Sequence, residues 1–592
     1  MGQTKLAALP QSPPDARIIS VSWLAAFSKS LEAGDVDGVV STFFPDGYLR
    51  DILIFTWNNR TAKGHTAIHA FLAPSLHAAQ ITNVVLEERQ YFNPVYGAIG
   101  PSIFGVSTGF IFETPIAKGQ GYARLAEDEK GEWKALSVFF MMDELKGHGD
   151  LYPESGVYGG HTLAWNLVKE QRQRKIESDP HVIIVGAGQT GLNIGARLKQ
   201  AGIPTLIIEK NSRVGDNWRK RYSTLTLHSP KPHTAMNFQG FPETWPTFTP
   251  RDKQADWLEQ YAISQDLVVW TQSTLQPVPK YDPDTARWTC IVTRGDKSLL
   301  LRPAHIIVAC GTIGAPNIPP VLSAPVFEGE TFHASSYDDG APYAGKRVIV
   351  VGAGNTSADV CQDLVFHGAK SVTMVQRTVT TIVSCEKMTR MLQGNWPLDV
   401  PTAVSDFKYS SMPWGLMREF ARESSKKRDP DDMDTAMLEK LEAKGFKLGN
   451  GPKDNSGQVF LVFERFGGYW LDVGVADLIH EGKVMIKSGV EVSQFTPKSV
   501  IYSDGSEQEA DVVIFATGYK SVLESLKPLF GDEVIGKTEL WGFDDEEELK
   551  GCYRPSGQPG LWYGAGNFYV SRFYSKQLAL EIKAIELGYM KQ

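Results

Sequence analysis

Two glycine-rich turns contain the residues of this 592-residue chain whose types and spacing indicate chemistry. In the first, "VIIVGAGQTG", an apolar run leads into Gly186, Gly188 and Gly191, and a helical pattern follows. The first glycine of such a turn permits a sharp bend, the second lets the backbone approach a pyrophosphate, and the third lets the helix pack closely on the strand. The next apolar run ends in Glu209, which is spaced to meet ribose hydroxyls. The pattern predicts a dinucleotide site.

The second turn, "VIVVGAGNTS", has Gly352 and Gly354 but Ser357 in the third place. The strand pattern after it ends in Gln376 and Arg377 and has no carboxylate there. An acidic side chain at this point would repel a 2′-phosphate, whereas the planar guanidinium of arginine matches one. We therefore predict FAD at the first turn and NADPH at the second. The alternative for Arg377 is a surface residue at a strand end.

Several short motifs follow the order of a known family. The stretch "FEGETFHASSY" has the spacing FxGxxxHxxxY, and the other motifs are "GDNW", "LHSPK", "IIVACG" and "ATGY". The residues that carry the match are Phe327, Gly329, His333, Tyr337 and, in "GDNW", Trp218. Through them, residues 180–592 resemble the class B flavin-containing monooxygenases, and among those the YUCCA-type indole-pyruvate monooxygenases. A Baeyer-Villiger signature usually has tryptophan in the position of Tyr337.

The resemblance implies an FAD- and NADPH-dependent monooxygenase. NADPH reduces FAD, the reduced flavin takes up O2, and a flavin hydroperoxide passes one oxygen atom to the nitrogen, sulfur or carbonyl (2-oxo acid) group of a small organic substrate. It also implies that Trp218 binds cofactor. His228 stands where many members have an asparagine thought to contact flavin and NADPH, and YUCCA-type enzymes also have histidine there. We take His228 as the candidate catalytic residue, a hydrogen-bond donor or proton carrier. Its alternative is a packed loop residue.

Two other functions remain open from the sequence. A disulfide reductase with two dinucleotide sites has a similar layout, but it needs a redox cysteine pair, and the five cysteines show no CxxC or CxxxxC spacing. A non-catalytic or redox-sensing flavoprotein with a ligand-binding N-terminal domain is the second alternative. No residue spacing indicates a metal site.

These motifs need an α/β fold with two Rossmann-type dinucleotide-binding domains, the second inserted in the first. We predict an FAD-binding domain at 180–342 and 488–592, and an NADPH-binding domain at 343–487 with an insert at 386–456. By the resemblance, "DVVIFATGY" and "GLWYGAGN" return the chain to the FAD domain. The insert either covers a substrate channel or packs on the body. A linker is predicted at 151–179.

Residues 16–150 show helical patterns followed by alternating stretches, including a hairpin at "EDEKGE". This order resembles the α+β cone of SnoaL-like and ketosteroid-isomerase-like domains. Its possible acid or base groups are Asp46, Asp51, His65 and His69. A docking, substrate-covering or homodimer-forming role is the favoured interpretation.

The composition excludes some classes of function. A net charge of −8 with only short basic runs disfavours nucleic-acid binding. No apolar stretch has the roughly 18 residues that span a bilayer. The N-terminal stretch lacks the apolar core of a signal peptide, and scattered cysteines fit a reducing compartment, so a cytoplasmic location is expected.

Overall fold

The computed structural model describes residues 12–151, 154–319, 326–426 and 430–591. The N-terminal stretch considered above for a signal peptide therefore lies outside the described residues up to position 11. The chain runs from an N-terminal α+β region, through two parallel sheets, to a C-terminal helix.

The N-terminal region consists of helices packed on one mixed sheet. Its elements are α1 (Ala16–Ala33), α2 (Val36–Ser41), β1 (Phe43–Ile52), β2 (Asn59–Lys63), α3 (Gly64–Leu72), α4 (Leu76–Ala79), β3 (Thr82–Leu86), β4 (Val95–Gly100), β5 (Ile103–Glu113), β6 (Ala117–Glu127) and β7 (Trp133–Leu145). The strand order is β2-β1-β7-β6-β5-β3, with β4 also on β5, and only β1 and β7 run parallel. Aromatic side chains such as Phe27, Phe110 and Phe140 fill the space between the helices and the sheet.

The middle of the chain forms the first parallel sheet and its surroundings. Its elements are α5 (Trp165–Ser178), β8 (Val182–Val185), α6 (Gln189–Gln200), β9 (Thr205–Ile208), α7 (Asp216–Arg219), α8 (Lys231–Thr234), α9 (Arg251–Ser264), β10 (Val268–Trp270), β11 (Ser273–Leu275), β12 (Lys280–Asp282), β13 (Arg287–Arg294), β14 (Lys297–Leu301), β15 (His305–Val308) and β16 (Ile313–Pro316). Strands β11 to β14 form an antiparallel sheet beside it.

The second parallel sheet and the helical insert follow. Their elements are β17 (Glu330–His333), β18 (Arg347–Val351), α10 (Asn355–Phe366), β19 (Ser371–Gln376), β20 (Thr381–Ser384), α11 (Cys385–Asn395), α12 (Thr402–Ser410), α13 (Trp414–Ser424), α14 (Thr435–Ala443), α15 (Gln458–Arg465), β21 (Tyr469–Asp472), α16 (Val475–His480) and β22 (Val484–Ser488).

The last part of the chain completes both sheets. Its elements are β23 (Val492–Phe495), β24 (Ser499–Tyr502), β25 (Glu507–Glu509), β26 (Val512–Phe515), β27 (Tyr519–Ser521), α17 (Val522–Phe530), α18 (Asp532–Gly536), β28 (Leu561–Tyr563) and α19 (Phe568–Glu586). The first sheet has the order β10-β9-β8-β15-β28 and the second the order β17-β26-β18-β19-β22, and all their strand pairs are parallel. The strands of the second sheet lie between β15 and β28 along the chain.

One strand lies in a different sheet from the one expected. The stretch "DVVIFATGY" was expected to return the chain to the first sheet, but β26 lies between β17 and β18 in the second. That expectation is wrong, and β17 also belongs to the second sheet, so the predicted limits at 342 and 488 do not follow the sheets. The physical reason is that β26 supports the second glycine turn just as β15 supports the first. A Cβ on Gly186 would meet the carbonyl of Ala309 after β15, and one on Gly352 would meet that of Ala516 after β26.

The N-terminal region shares its core with the body of the protein. Phe139 of β7 packs on Phe407 of α12, and both belong to one apolar cluster with residues of α6 and α19. At the same contact Arg50 donates to both carboxylate oxygens of Glu548, at 2.6 and 2.7 Å, and both side chains are fully buried. The N-terminal region is therefore a part of the body's core, not a separate lobe on a tether.

Candidate functional site

The first glycine turn connects β8 to α6 and has the backbone shape that its glycines require. Gly186 has a φ of +110°, which disfavours any side chain, and its N–H donates to the carbonyl of Ile208 at 2.8 Å. A Cβ at Gly191 would collide with the carbonyl of Gly186, so this glycine is needed for packing. A Cβ at Gly188 would meet only Asn217 Nδ2, at 3.7 Å, so the protein itself leaves room there.

Two further predicted residues of the first unit lie near this turn. The Glu209 carboxylate accepts from the N–H of Ala187 at 2.9 Å and from the backbone and side chain of Asn211 at 2.9 and 2.7 Å. The Glu209 side chain thus stabilises the first glycine turn through a hydrogen bond to its backbone. Trp218, the neighbour of Asn217, has a buried indole N–H with no hydrogen-bond partner. A buried donor without a partner is costly, and it marks a place where a ligand acceptor would fit.

The second glycine turn opens into a cavity of about 520 Å³. The four predicted residues of this unit all line it, namely Gly352, Gly354, Ser357 and Arg377. The turn repeats the first in detail, since Gly352 has a φ of +127° and donates to the carbonyl of Val375 at 2.9 Å. A Cβ at Gly354 would come no closer than 3.7 Å to any atom, and the buried Ser357 hydroxyl has no partner.

Arg377 and Gln376 have separate roles at the end of β19. The Gln376 side chain is buried and bonds the backbone N–H and carbonyl of Lys447, both at 2.8 Å, which fixes the loop after the strand. The side chain of Arg377 is 68% exposed and lies 3.9 Å from the Glu491 carboxylate on the cavity wall. Glu491 was missed from the sequence, because it is more than a hundred residues away and carries no motif.

His228 is not paired within its own loop. Its Nε2 lies 3.9 Å from Asp359 Oδ1, on the helix that follows the second glycine turn. The Asp359 carboxylate also accepts a hydrogen bond from the Tyr222 hydroxyl. Burial raises the pKa of Asp359, while His228 and Tyr222 oppose that rise. No motif predicts this contact, since Asp359 follows the glycine turn as an ordinary helical residue.

The signature residues have structural partners that the sequence did not reveal. His333 lies on the cavity wall, and its Nε2 is 3.0 Å from the carbonyl of Gly518 in "ATGY". Tyr337 donates to the Asp363 carboxylate on α10 at 2.6 Å. Through His333 the signature contacts the loop after β26, and through Tyr337 it contacts helix α10.

The four candidate acid or base residues of the N-terminal region lie in separate surroundings. The Asp51 carboxylate accepts from the backbone N–H groups of Ile54, Phe55 and Thr56, and burial raises its pKa to about 8. The other three show no shared centre: His65 Nε2 contacts the carbonyl of Phe43, His69 lies 3.5 Å from Asp37, and the Asp46 carboxylate oxygens are buried without a partner. Aromatic side chains occupy the interior of this region.

Several other features of the described residues bear on the class of site. All five cysteines are described and each is a free thiol. Within the described ranges, no three His, Cys, Asp or Glu side chains gather to hold a metal ion. The helices of those ranges include none with the length and apolar composition to cross a membrane.

Two parallel sheets, each with a glycine turn leading into a helix, define a dinucleotide-binding protein with two such units. Comparison with known proteins agrees. The family profile "Pyridine nucleotide-disulphide oxidoreductase" matches residues 183–392. "Indole-3-pyruvate monooxygenase YUCCA1" of Oryza sativa subsp. japonica is 28% identical over 420 residues, which cover 69% of this chain and 90% of that protein. "Probable indole-3-pyruvate monooxygenase YUCCA3" of Arabidopsis thaliana is 30% identical over 409 residues, 67% of this chain and 82% of that protein.

A solved structure gives a weaker match. The flavin-containing monooxygenase from Stenotrophomonas maltophilia aligns with a TM-score of 0.46 at 18% identity, over 69% of this chain and 99% of that one. The identity to these plant relatives shows that the chain belongs to the flavin-dependent monooxygenase family. It is an oxidoreductase of the FAD- and NADPH-dependent kind.

Proposed function

We propose that this protein is an NADPH-dependent flavin monooxygenase that inserts one oxygen atom of O2 into a small organic substrate, with FAD at the first glycine turn and NADPH at the second. The difference between the two strand ends carries this assignment. Glu209, which suits ribose hydroxyls, directly follows the second strand of the first unit, and Arg377, which suits a 2′-phosphate, directly follows the second strand of the second unit. The bound cofactors supply the hydride and the activation of O2.

The residues present fit both groups. At each turn the second glycine, Gly188 or Gly354, faces room that the protein does not fill. Each unit also has an orphaned buried polar atom, the Trp218 indole N–H in the first and the Ser357 hydroxyl in the second. The α6 and α10 N-termini begin at these turns, and their free N–H groups favour phosphate.

His228 is the proposed catalytic residue, because an imidazole side chain can donate a hydrogen bond or carry a proton. It replaces the asparagine of many relatives. The two plant relatives described above act on indole-3-pyruvate, a 2-oxo acid, according to their names. We therefore place 2-oxo acids first among the substrates of this chain, ahead of ketones, amines and thioethers.

The N-terminal region is proposed as a cone-like domain with a docking or substrate-covering role. Its aromatic interior and its shared core with α12 and α19 support this role. A homodimer through this domain stays a prediction.

One assay tests the function. The purified protein is expected to be yellow and to oxidise NADPH with uptake of O2, and incubation with 18O2 and a panel of 2-oxo acids, ketones, amines and thioethers is expected to give a product with one 18O atom. NADPH oxidation without 18O in any product would contradict the monooxygenase assignment. A yellow protein that neither oxidises NADPH nor consumes O2 would support the redox-sensing alternative.

A further inference from the structure

His228 faces a carboxylate that belongs to the other nucleotide unit. The histidine lies in a loop of the first unit, and Asp359 lies one helical turn after the second glycine turn, in α10. Their side chains are largely buried, with 18% and 14% of their surfaces exposed, and 3.9 Å separates Nε2 from Oδ1. This is an ion-pair distance, about 1 Å longer than a hydrogen bond. Contacts of this kind commonly shorten when substrate and cofactors are in place.

Asp359 is itself held in place by Tyr222. The Tyr222 hydroxyl donates to Oδ2, which leaves Oδ1 towards the histidine. Tyr222 is 4% exposed, and burial together with the Asp359 carboxylate raises the pKa of its hydroxyl, so it remains a donor. The buried tyrosine thus fixes one oxygen of the aspartate and leaves the other oxygen directed at the imidazole. This geometry orients the Asp359 carboxylate towards His228.

The remaining charged and titratable groups around the pair come from three elements. The Arg221 guanidinium lowers the pKa of Asp359, and Asp363, one turn further along α10, raises it. The Asp363 carboxylate is engaged with Tyr337 at 2.6 Å and with His367 at 3.2 Å. The thiol of Cys385, at the start of α11, lies 3.9 Å from the carbonyl of His228, and burial raises the pKa of that thiol.

We propose that Asp359, held by Tyr222, is the positioning residue for His228 and keeps the proton of the neutral imidazole on Nε2. A carboxylate that accepts from one ring nitrogen fixes the tautomer and the ring orientation, and it stabilises the imidazolium that forms when the other nitrogen takes up a proton. Nδ1 is then the atom at which His228 accepts and returns a proton. This inference rests on the proposed function for the catalytic role of His228. The positioning of His228 by Asp359 does not depend on that function.

The test is nitrogen NMR of the holoenzyme with 15N-labelled histidines. The chain has 12 histidines, and the signal lost in His228→Gln identifies His228. In the wild type we expect ring shifts of a neutral imidazole with its proton on Nε2. In Asp359→Asn the preference for this tautomer should fall by roughly tenfold, the factor that a charge-assisted hydrogen bond supplies. Tyr222→Phe should give a smaller change in the same direction.

Asp363→Asn is the matched control, since it removes a neighbouring carboxylate of the same helix that contacts Tyr337 and His367 and not His228. It should not weaken the preference of the His228 ring for the Nε2 tautomer. Equal His228 shifts in wild type and Asp359→Asn, or an equal change in Asp363→Asn, would overturn the proposal. Because Tyr222→Phe leaves the Asp359 carboxylate in place, it provides a second reading if Asp359→Asn is poorly folded.

Activity separates this inference from the proposed function. If both hold, Asp359→Asn and His228→Ala should release several-fold more hydrogen peroxide per NADPH consumed than the wild type. If the tautomer changes but the peroxide ratio stays constant in both variants, the positioning role stands and the catalytic role of His228 falls. If His228→Ala raises the ratio and Asp359→Asn changes neither shifts nor ratio, the positioning role falls alone.

Discussion

At the scale of single residues, the two glycine turns share a backbone shape, and we expect their neighbouring residues to decide which nucleotide each one binds. The first glycines, Gly186 and Gly352, take the same left-handed backbone and donate to the same point of the following strand. The distinguishing side chains are Glu209, which holds its own turn, and Arg377, which is exposed in a cavity. We therefore expect nucleotide specificity to lie at the strand ends and phosphate binding at the turns.

We expect Arg377→Ala to weaken NADPH binding about tenfold or more and to leave NADH binding almost unchanged, because a charge-assisted hydrogen bond to phosphate contributes about 1.5–3 kcal/mol. Glu491→Gln should have the opposite effect on NADPH, since it removes the carboxylate 3.9 Å from this guanidinium. Binding is measured by titration of each nucleotide. Arg294→Ala, in the antiparallel sheet beside the first unit, is the control, and an equal loss for both nucleotides in Arg377→Ala would refute the 2′-phosphate role.

Gly188→Val is expected to give a folded but colourless protein. A side chain there has space in the protein, with its nearest neighbour Asn217 Nδ2 at 3.7 Å, but it would occupy the path of the pyrophosphate. Flavin content is measured from the visible spectrum and folding from circular dichroism. Gly240→Val, at an open position with no neighbour within 4 Å, should remain yellow. A yellow Gly188→Val protein with full flavin content would show that FAD does not bind at the first turn.

His305, the first residue of β15, gives a pH-dependent stability. Burial lowers its pKa to about 3, below the roughly 6.5 of an unfolded histidine. Its contribution is therefore fully present above pH 6.5 and is lost as the pH falls towards 3. His305→Gln should flatten the decline of the thermal midpoint between pH 6.5 and pH 4, with part of the slope left to the buried His233, whose pKa is also about 3. The exposed His77→Gln control should decline like the wild type, and an unchanged slope in His305→Gln would contradict the prediction.

At the scale of elements, the insert is held between the N-terminal sheet and the C-terminal helix. Arg124 of β6 donates to the carbonyls of Lys408 and Ser411, both at 3.1 Å, at the end of α12. From the other side Arg572 of α19 bonds both oxygens of Asp406 at 2.8 and 2.9 Å. This part of the insert therefore packs on the body, which was one of the two interpretations left open by its sequence.

Removing one partner of the buried Arg50–Glu548 ion pair should lower the stability of the protein more than replacing both partners with apolar residues. Arg50→Met leaves the buried Glu548 with Thr61 as its remaining side-chain partner, at 2.7 Å, and should destabilise the protein by about 3–5 kcal/mol. The double variant Arg50→Met with Glu548→Leu removes both charges and should recover part of that loss. Thermal unfolding measures both. A double variant less stable than Arg50→Met alone would contradict the prediction, because it would show that the unpaired Glu548 charge is not the cause of the lost stability.

At the scale of the whole molecule, the C-terminal helix α19 is one of the elements that connect the N-terminal region to the proposed flavin unit. Lys576 of α19 forms an ion pair with Asp143 of β7. On its other side α19 packs on α6, where Ser571 and Thr190 hydroxyls are 2.9 Å apart. Helix α6 begins at the first glycine turn. The N-terminal sheet therefore supports the proposed flavin site indirectly, through α19 and α6.

A chain that begins near Glu177 tests this link. By motif content alone it should bind FAD and oxidise NADPH, because every cofactor motif lies beyond that point. The shared core changes the expected result: removal of Phe139 and its neighbours exposes the apolar face of α12 and α19, so this chain should aggregate or lose flavin. Production of residues 1–151 together with 177–592 should restore a soluble yellow complex. A soluble, flavin-loaded 177–592 chain alone would show that the N-terminal region is dispensable.

The sequence by itself determined the two predicted nucleotide units, because a tight turn and a close approach of phosphate each favour glycine at a fixed local spacing, and a small residue, Gly191 or Ser357, follows where the helix packs on the strand. The sequence also carries a signal for the place of β26, because "IIVACG" and "VIFATG" are similar stretches and each supports one glycine turn. Only the tertiary structure decided which sheet β26 joins, that Asp359 faces His228, that Glu491 faces Arg377, and that Arg50 meets Glu548. These contacts join residues that are far apart in the chain, and they depend on how the sheets and helices pack, which no local pattern of residues records.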